Sequence, residues 1–206
     1  MASGLTSYHL KLIAALTMVI DHVGYVFYPE VEWLRVVGRV SFPLFVWLLV
    51  QGESHTRNVW RYGVRLGVLG LISQPVYQTA FDINQLNVLV QLLIGLVCLR
   101  ALRQPVNLAV PVVVACFLAS AVLPMGYGVY GMGLVLLTRY FRHRFLCWLG
   151  WVGYHIVWAL WGLTGQLPVI LVPLLFIAFN GRRGAVARWF YGFYPGHLLI
   201  LALASA

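Results

Sequence analysis

The run Lys11–Tyr28, KLIAALTMVIDHVGYVFY, decides how this chain is read. It is apolar enough to cross a bilayer, yet Asp21 and His22 sit side by side near its centre. A carboxylate and an imidazole at that depth are costly unless the fold pairs and uses them. Lys11 precedes His22 by about eleven residues, and eleven steps of about 100° return a helix to nearly the same face. The two therefore share one stripe, about 16 Å apart, Lys11 at the membrane edge and His22 near the middle. Such a stripe can bind a charged group at the edge and move protons further in.

The rest of the composition agrees with a membrane setting. The chain has 206 residues, 62% hydrophobic and 9% charged, with a mean hydropathy of +0.87. A soluble domain of this length has no use for so much apolar surface, so the expected fold is all-α, a polytopic helical bundle. A net charge of +9 elsewhere suggests nucleic acid. Here the basic residues fall between apolar spans, as orientation signals do, and no nucleic-acid partner is expected. The start, MASGLTSYHLK, has little positive charge, no short apolar region ends at a small-residue cleavage site, and the first span holds Asp-His, so the start is expected to be retained. Cys98, Cys116 and Cys147 lie in or beside apolar spans without ligand spacing, and read as packing residues. There is no GxGxxG, Walker or HExxH motif, and no metal is expected. Without repeats or a low-complexity linker, residues 1–206 read as one domain.

Nine spans are expected, or eight if span six or eight is re-entrant. They run over residues 11–28, 33–51, 62–81, 86–102, 108–123, 127–140, 145–163, 167–179 and 187–204. Pro75 is expected to kink the third, and Gly128, Gly131 and Gly133 to allow close packing of the sixth. Alternate connections are basic: Arg57, Arg61 and Arg65; Arg100 and Arg103; Arg139, Arg142 and Arg144; Arg182, Arg183 and Arg188. The opposite connections hold Glu30, Glu32 and Asp82, or no charge. This alternation places the N-terminus in the cytoplasm and the C-terminus outside.

Depth selects the candidate chemistry. His22, His155 and His197 each lie about ten residues from an inner span end, and Arg39 a few residues from an outer one. Asp21 is expected to pair with Arg39 or to hydrogen-bond an imidazole and orient it. The bland alternative is a structural ion pair with histidines that satisfy buried polar groups. For His155, beside Tyr154 in aromatic-rich sequence, packing is the preferred reading. A second constellation is QGESHTRNVWRYGVRL, residues 51–66, with Glu53 and His55 at the inner end of span two. Arg57, Arg61 and Arg65, spaced by four, read as one cationic stripe suited to cofactor phosphates or to anionic lipid. Asn84, Asn87 and Gln91 stand at the outer entry to span four. They can contact substrate, but capping and helix–helix hydrogen bonding are the preferred roles.

Four stretches resemble the TraX family of conjugative-plasmid membrane proteins: LKLIAALTMVIDHVGYVFYP, LRVVGRVSFPLFVWLLVQGESHTRN with RYGVRL, LNVLVQLLIGL and FYGFYPGHLL. The resemblance runs from residue 10 to about 200 and is weakest between Arg100 and Trp161. The family's Asp-His falls on Asp21 and His22. Its GR-x-x-FPLF falls on Gly38, Arg39, Pro43 and Phe45, its HTRN on His55 to Asn58, and its FYP-x-H on Tyr194, Pro195 and His197. More remotely, span one is similar to that of broad transmembrane acyltransferases, with Lys11 where an arginine is more usual. An acidic residue common in the sixth span of TraX relatives is missing here. The resemblance implies a multi-pass protein of the bacterial inner membrane that transfers acetyl from acetyl-CoA to the N-terminal amine of a pilin. His22, Asp21, Arg39 and His197 would be catalytic, and Lys11, Arg57, Arg61 and Arg65 would hold the donor phosphates. Tyr194, Asn87 and His55 would contact substrate. The pilin, membrane lipids and other pilus assembly proteins are the expected partners. Two other classes stand beside this: a non-enzymatic pilus assembly factor, and a proton-coupled transporter using Asp21, His22, Arg39 and His197 as a relay.

Overall fold

The computed structural model describes residues 4–142 and 144–205; Met1–Ser3, His143 and Ala206 lie outside the described residues. Among the described residues the chain is helical, without a strand; two isolated bridges join Leu5 to Phe179 and Leu86 to Met125. It folds into two compact units, Met1–Leu48 with Tyr140–Trp189, and Leu49–Arg139 with Phe190–Ala206.

The first unit is built on a helical hairpin. Helix α1, Ser7–Phe27, opens with a capping box in which Thr6 and His9 satisfy each other's backbone donors. It ends before Pro29, which cannot continue it. Helix α2, Glu32–Gly38, then folds back along α1: Leu34 stands against Gly24, and Gly38 against Asp21. A Cβ on either glycine would overlap the facing side chain, so these two positions set how closely the helices approach. Arg39 and Val40 form a turn, and α3, Ser41–His55, continues. Pro43 explains the interruption. It lacks an N–H, and its ring crowds the carbonyl four residues back, that of Arg39.

The expected second span is therefore two helices with Arg39 at the joint. By length and composition, Ser7–Phe27 and Glu32–His55 are long and apolar enough to cross a membrane. The same unit contains α8, Phe145–Leu160, a 3-10 helix, Thr164–Leu171, and α9, Pro173–Ile177. The eighth span, expected to be short, is thus the second half of a 3-10 helix, Thr164–Leu171, and a five-residue helix, Pro173–Ile177. Its core stacks Trp47 on Phe176 at 4.2 Å, with Phe141 and Trp151 edge-on to Phe176. Trp151 Nε1 donates to the Val169 carbonyl at 3.1 Å, tying α8 to the 3-10 turn. Backbone bonds from Leu5 to Ala178, Asn180 to Leu5 and Ser7 to Arg182, 2.7–2.9 Å long, fasten the start of α1 to residues 178–182.

The second unit takes α3 from Leu49 onward, α4, Val59–Phe81, α5, Val88–Ala101, α6, Val106–Val122, and α7, Gly128–Tyr140, up to Arg139. It closes with α10, Phe190–Ala204, which packs on α4; α5 lies against both α4 and α6. Helix α4 runs through Pro75 as one element. Glu53, buried at the end of α3, is held by two arginines. Arg103 donates from Nε to Oε1 at 2.7 Å and from Nη2 to Oε2 at 2.8 Å; Arg100 reaches Oε1 at 3.1 Å. This bond raises Arg103 above the ordinary guanidinium value. Outward faces stay apolar: Val106, Val110, Val114, Leu118 and Val122 of α6 are all exposed.

Candidate functional site

The polar centre of the first unit lies where α2 returns against α1. Arg35 Nη1 donates to Asp21 Oδ2 at 2.7 Å and to the Asp21 carbonyl at 3.1 Å. The guanidinium also lies 4.9 Å from the Tyr25 ring centroid, a cation–π contact. Asp21 Oδ1 is buried without a hydrogen-bond partner among the described residues. Sequence reasoning offered Arg39 or an imidazole as the partner of Asp21; the ion pair goes to Arg35, one helical turn earlier. The hairpin register is the cause. With Gly24 level with Leu34 and Gly38 level with Asp21, the Arg35 side chain reaches the carboxylate. A signal was present: Asp21 and Arg35 stand at similar distances on either side of Pro29, so an antiparallel hairpin brings them level.

Arg39, in the turn between α2 and α3, is close enough for its charge to act on Asp21. It makes no ion pair among the described residues. His22 follows Asp21 on α1 and is half-buried. Lys11, near the start of α1, has the charge of Arg183 as a neighbour. Arg183 is positioned by Tyr8, whose N–H donates to its carbonyl at 3.1 Å. Sequence reasoning used Arg183 only as an orientation signal. His155 is buried, with Nδ1 2.7 Å from the Trp151 carbonyl and its ring against Trp151 and Tyr154. A carbonyl only accepts, so Nδ1 carries the proton.

The remaining candidates belong to the second unit. His197 is buried on α10, its Nδ1 2.9 Å from the Phe193 carbonyl and its ring stacked on Phe193. That bond fixes Nδ1 as the protonated nitrogen here too. Tyr194 is buried beside the same ring. His55 is exposed at the end of α3, where Nδ1 bonds the Gln51 carbonyl at 2.8 Å. The cationic stripe is shorter than expected. Arg61 and Arg65 share α4, but Arg57 lies outside it, before the N-cap Asn58 that accepts from Arg61 N–H. Arg65 reaches Tyr191 Oη at 3.4 Å.

Asn87 is wholly committed to the fold. Its Oδ1 accepts from Leu89 N–H, capping α5, and its Nδ2 donates to the Gly70 carbonyl and to Gln74 Oε1, both at 2.8 Å. The capping and helix-tying role preferred for this residue is the one its side chain performs, and no donor is left for a substrate.

An apolar hairpin with a charge pair at its centre, followed by a broken helix, also has sequence relatives. A family model described as TraX protein matches residues 7–205. A probable fimbrial assembly protein FimC, serogroup H1, of Dichelobacter nodosus is 30% identical, covering 97% of this chain and 96% of that protein. Protein TraX of Escherichia coli is 35% identical over 63 residues, 27% of this chain and 25% of that one. An uncharacterized protein, RP591 of Rickettsia prowazekii, is 44% identical over 36 residues, 18% and 14% of the two chains. No solved structure matches. The match from α1 to the end of α10, with a relative aligned over nearly its whole length, shows that this chain belongs to the TraX family.

Proposed function

We propose that this chain is a multi-pass protein of the bacterial inner membrane that moves an acetyl group from acetyl-CoA to the N-terminal amine of a pilin subunit. The observation that carries the reading is the Asp21–Arg35 pair, set in an apolar hairpin next to His22 and to the joint that presents Arg39. Charge at that depth in an apolar hairpin marks functional sites. Broken helices at membrane depth are tolerated where they line a polar cavity. The exposed apolar faces of α4, α6, α8 and α10 favour lipid as the surrounding solvent. The basic connections favour a cytoplasmic N-terminus. Arg100 and Arg103 meet the end of α3, and residues 182–183 flank the start of α1, each as the charge alternation requires.

The amine nitrogen attacks the thioester carbonyl, a C–N bond forms, the C–S bond breaks, and the thiolate leaves with a proton. His22 takes the proton from the attacking amine and passes it to the departing thiolate; in the alternative route His22 itself first displaces the thiolate, and the amine then displaces the imidazole and gives up its proton. Arg35 holds the Asp21 carboxylate, which fixes a negative charge one residue before His22 on α1. Arg39 is then the cation for the developing oxyanion. Lys11, with Arg183 beside it, takes donor phosphate. Arg61 and Arg65 are a further phosphate-facing pair, for donor or lipid, and His197 and Tyr194 are substrate-side candidates of the second unit.

The test is purified chain in lipid nanodiscs with acetyl-CoA and a peptide copying the pilin N-terminus. Transfer adds about 42 Da at the terminal amine, and His22→Ala is expected to abolish it. Unchanged transfer by His22→Ala removes His22 from the chemistry. The printed name of the Dichelobacter relative favours a second reading, a pilus assembly factor without transferase activity. Its signature is an unmodified pilin whose assembly still requires this chain.

A further inference from the structure

Three sulfur-bearing side chains from successive helices of the second unit share one buried cluster: Cys98 of α5, Cys116 of α6 and Met132 of α7. Each is 5% exposed or less. Ile94, Val113, Phe117 and Leu136 close around them. The two thiols pack in the same cluster and are not joined as a disulfide. No spacing in the chain announces this arrangement. Cys98 and Cys116 lie on separate helices, and only the packing of α5 against α6 brings them together.

We propose that Cys98, Cys116 and Met132 form a site for a soft monovalent metal ion, of the copper(I) class. Thiolate and thioether donors select copper(I) over the hard cations that prefer oxygen. Structural zinc takes four tetrahedral ligands, a set that two cysteines and a methionine do not supply. Among the described residues no group of three His, Cys, Asp or Glu gathers anywhere, so a site built on nitrogen and oxygen donors is not the competitor. The thioether of Met132 is flexible enough to turn its sulfur towards an ion held by the thiols.

Charge balance suits the apolar surroundings. One copper(I) replaces one thiol proton, which leaves to solvent. The cation and one thiolate are then neutral together, and the second sulfur stays protonated as a neutral donor. A neutral complex avoids the cost of net charge in hydrocarbon. Cys116 also lines an open apolar groove of 390 Å³ between α5 and α6, with Ile94, Val97, Pro111, Val112, Ala115 and Ala119. The groove brings the Cys116 side of the cluster to the outer surface of this helix pair.

The experiment is titration of the reduced, full-length protein in detergent with copper(I), in competition with the chromophoric chelator bicinchoninate. One equivalent is expected to transfer to the protein. Cys147→Ser is expected to retain it, and Cys98→Ser/Cys116→Ser to lose it. Met132→Leu, which preserves volume, is expected to weaken retention about tenfold or more. Failure of the native chain to compete overturns the proposal, as does equal retention by Cys98→Ser/Cys116→Ser. Unchanged affinity in Met132→Leu overturns the three-sulfur site, and does so even if the double serine variant does not fold.

Discussion

Gly38 of α2 stands directly against the side chain of Asp21 on α1, with no room for a Cβ between them. The glycine lets the carboxylate lie between two helices, where Arg35 can reach it at 2.7 Å. Gly38→Ala is therefore expected to separate α2 from α1 and to lengthen or break the Asp21–Arg35 pair. The cost is about 1–3 kcal/mol from overpacking. Thermal unfolding in detergent measures it. A stability equal to that of the native chain would show that α2 shifts freely and that the close approach is dispensable.

Arg35 and Arg39 are expected to separate stability from chemistry. Arg35→Ala leaves a part-buried carboxylate uncompensated and is expected to cost about 3 kcal/mol. Arg39→Ala breaks no ion pair among the described residues, so it should leave unfolding within about 0.5 kcal/mol of native. It should still lower acetyl transfer about a hundredfold, as loss of an oxyanion donor does. The reverse pattern, Arg35→Ala stable and Arg39→Ala unfolded, would exchange the two roles.

Arg103 makes two close contacts with Glu53, and Arg100 makes one longer contact. Arg103→Ala is accordingly expected to destabilise the chain by about 1 kcal/mol more than Arg100→Ala. Denaturation of the two variants side by side decides this, and equal losses would mean that Glu53 redistributes its bonds.

Asn87→Ala removes a helix cap and two bonds to α4. The expected loss is about 2 kcal/mol, with transfer per folded molecule unchanged. A normal unfolding temperature with lost transfer would assign Asn87 to substrate instead.

Side-specific labelling checks the proposed orientation. In a background with Cys98, Cys116 and Cys147 replaced by serine, a cysteine at Ser54 is expected to react only from the cytoplasm. One at Asp82 should react only from outside. Labelling of both from one side would reverse or remove the span between them.

The sequence was most informative where local forces suffice. Of the nine apolar segments expected, those at α4, α5, α6, α7 and α10 begin within a few residues of the helices observed, whereas the second is divided into α2 and α3 and the eighth into a 3-10 turn and α9. A helix forms from bonds four residues apart and stops at caps and prolines, all of which are visible in the chain. The weight placed on Asp21 also came from local information, a charge in an apolar run. The interruption at Arg39 was less legible, because Pro43 on its own does not say whether a helix bends or breaks. The position of Arg57 outside α4 turned on Asn58 being the cap.

By itself, the amino-acid sequence determined that this protein is helical and which residues are too polar for their surroundings. Tertiary structure alone decided what they meet: Arg35 for Asp21, Arg100 and Arg103 for Glu53, and the shared cluster of Cys98 and Cys116. The physical reason is register. Which side chains meet depends on how far one helix slides along another, and that is set by contacts such as Gly38 against Asp21 and Gly24 against Leu34. Such contacts join residues that no local spacing rule relates.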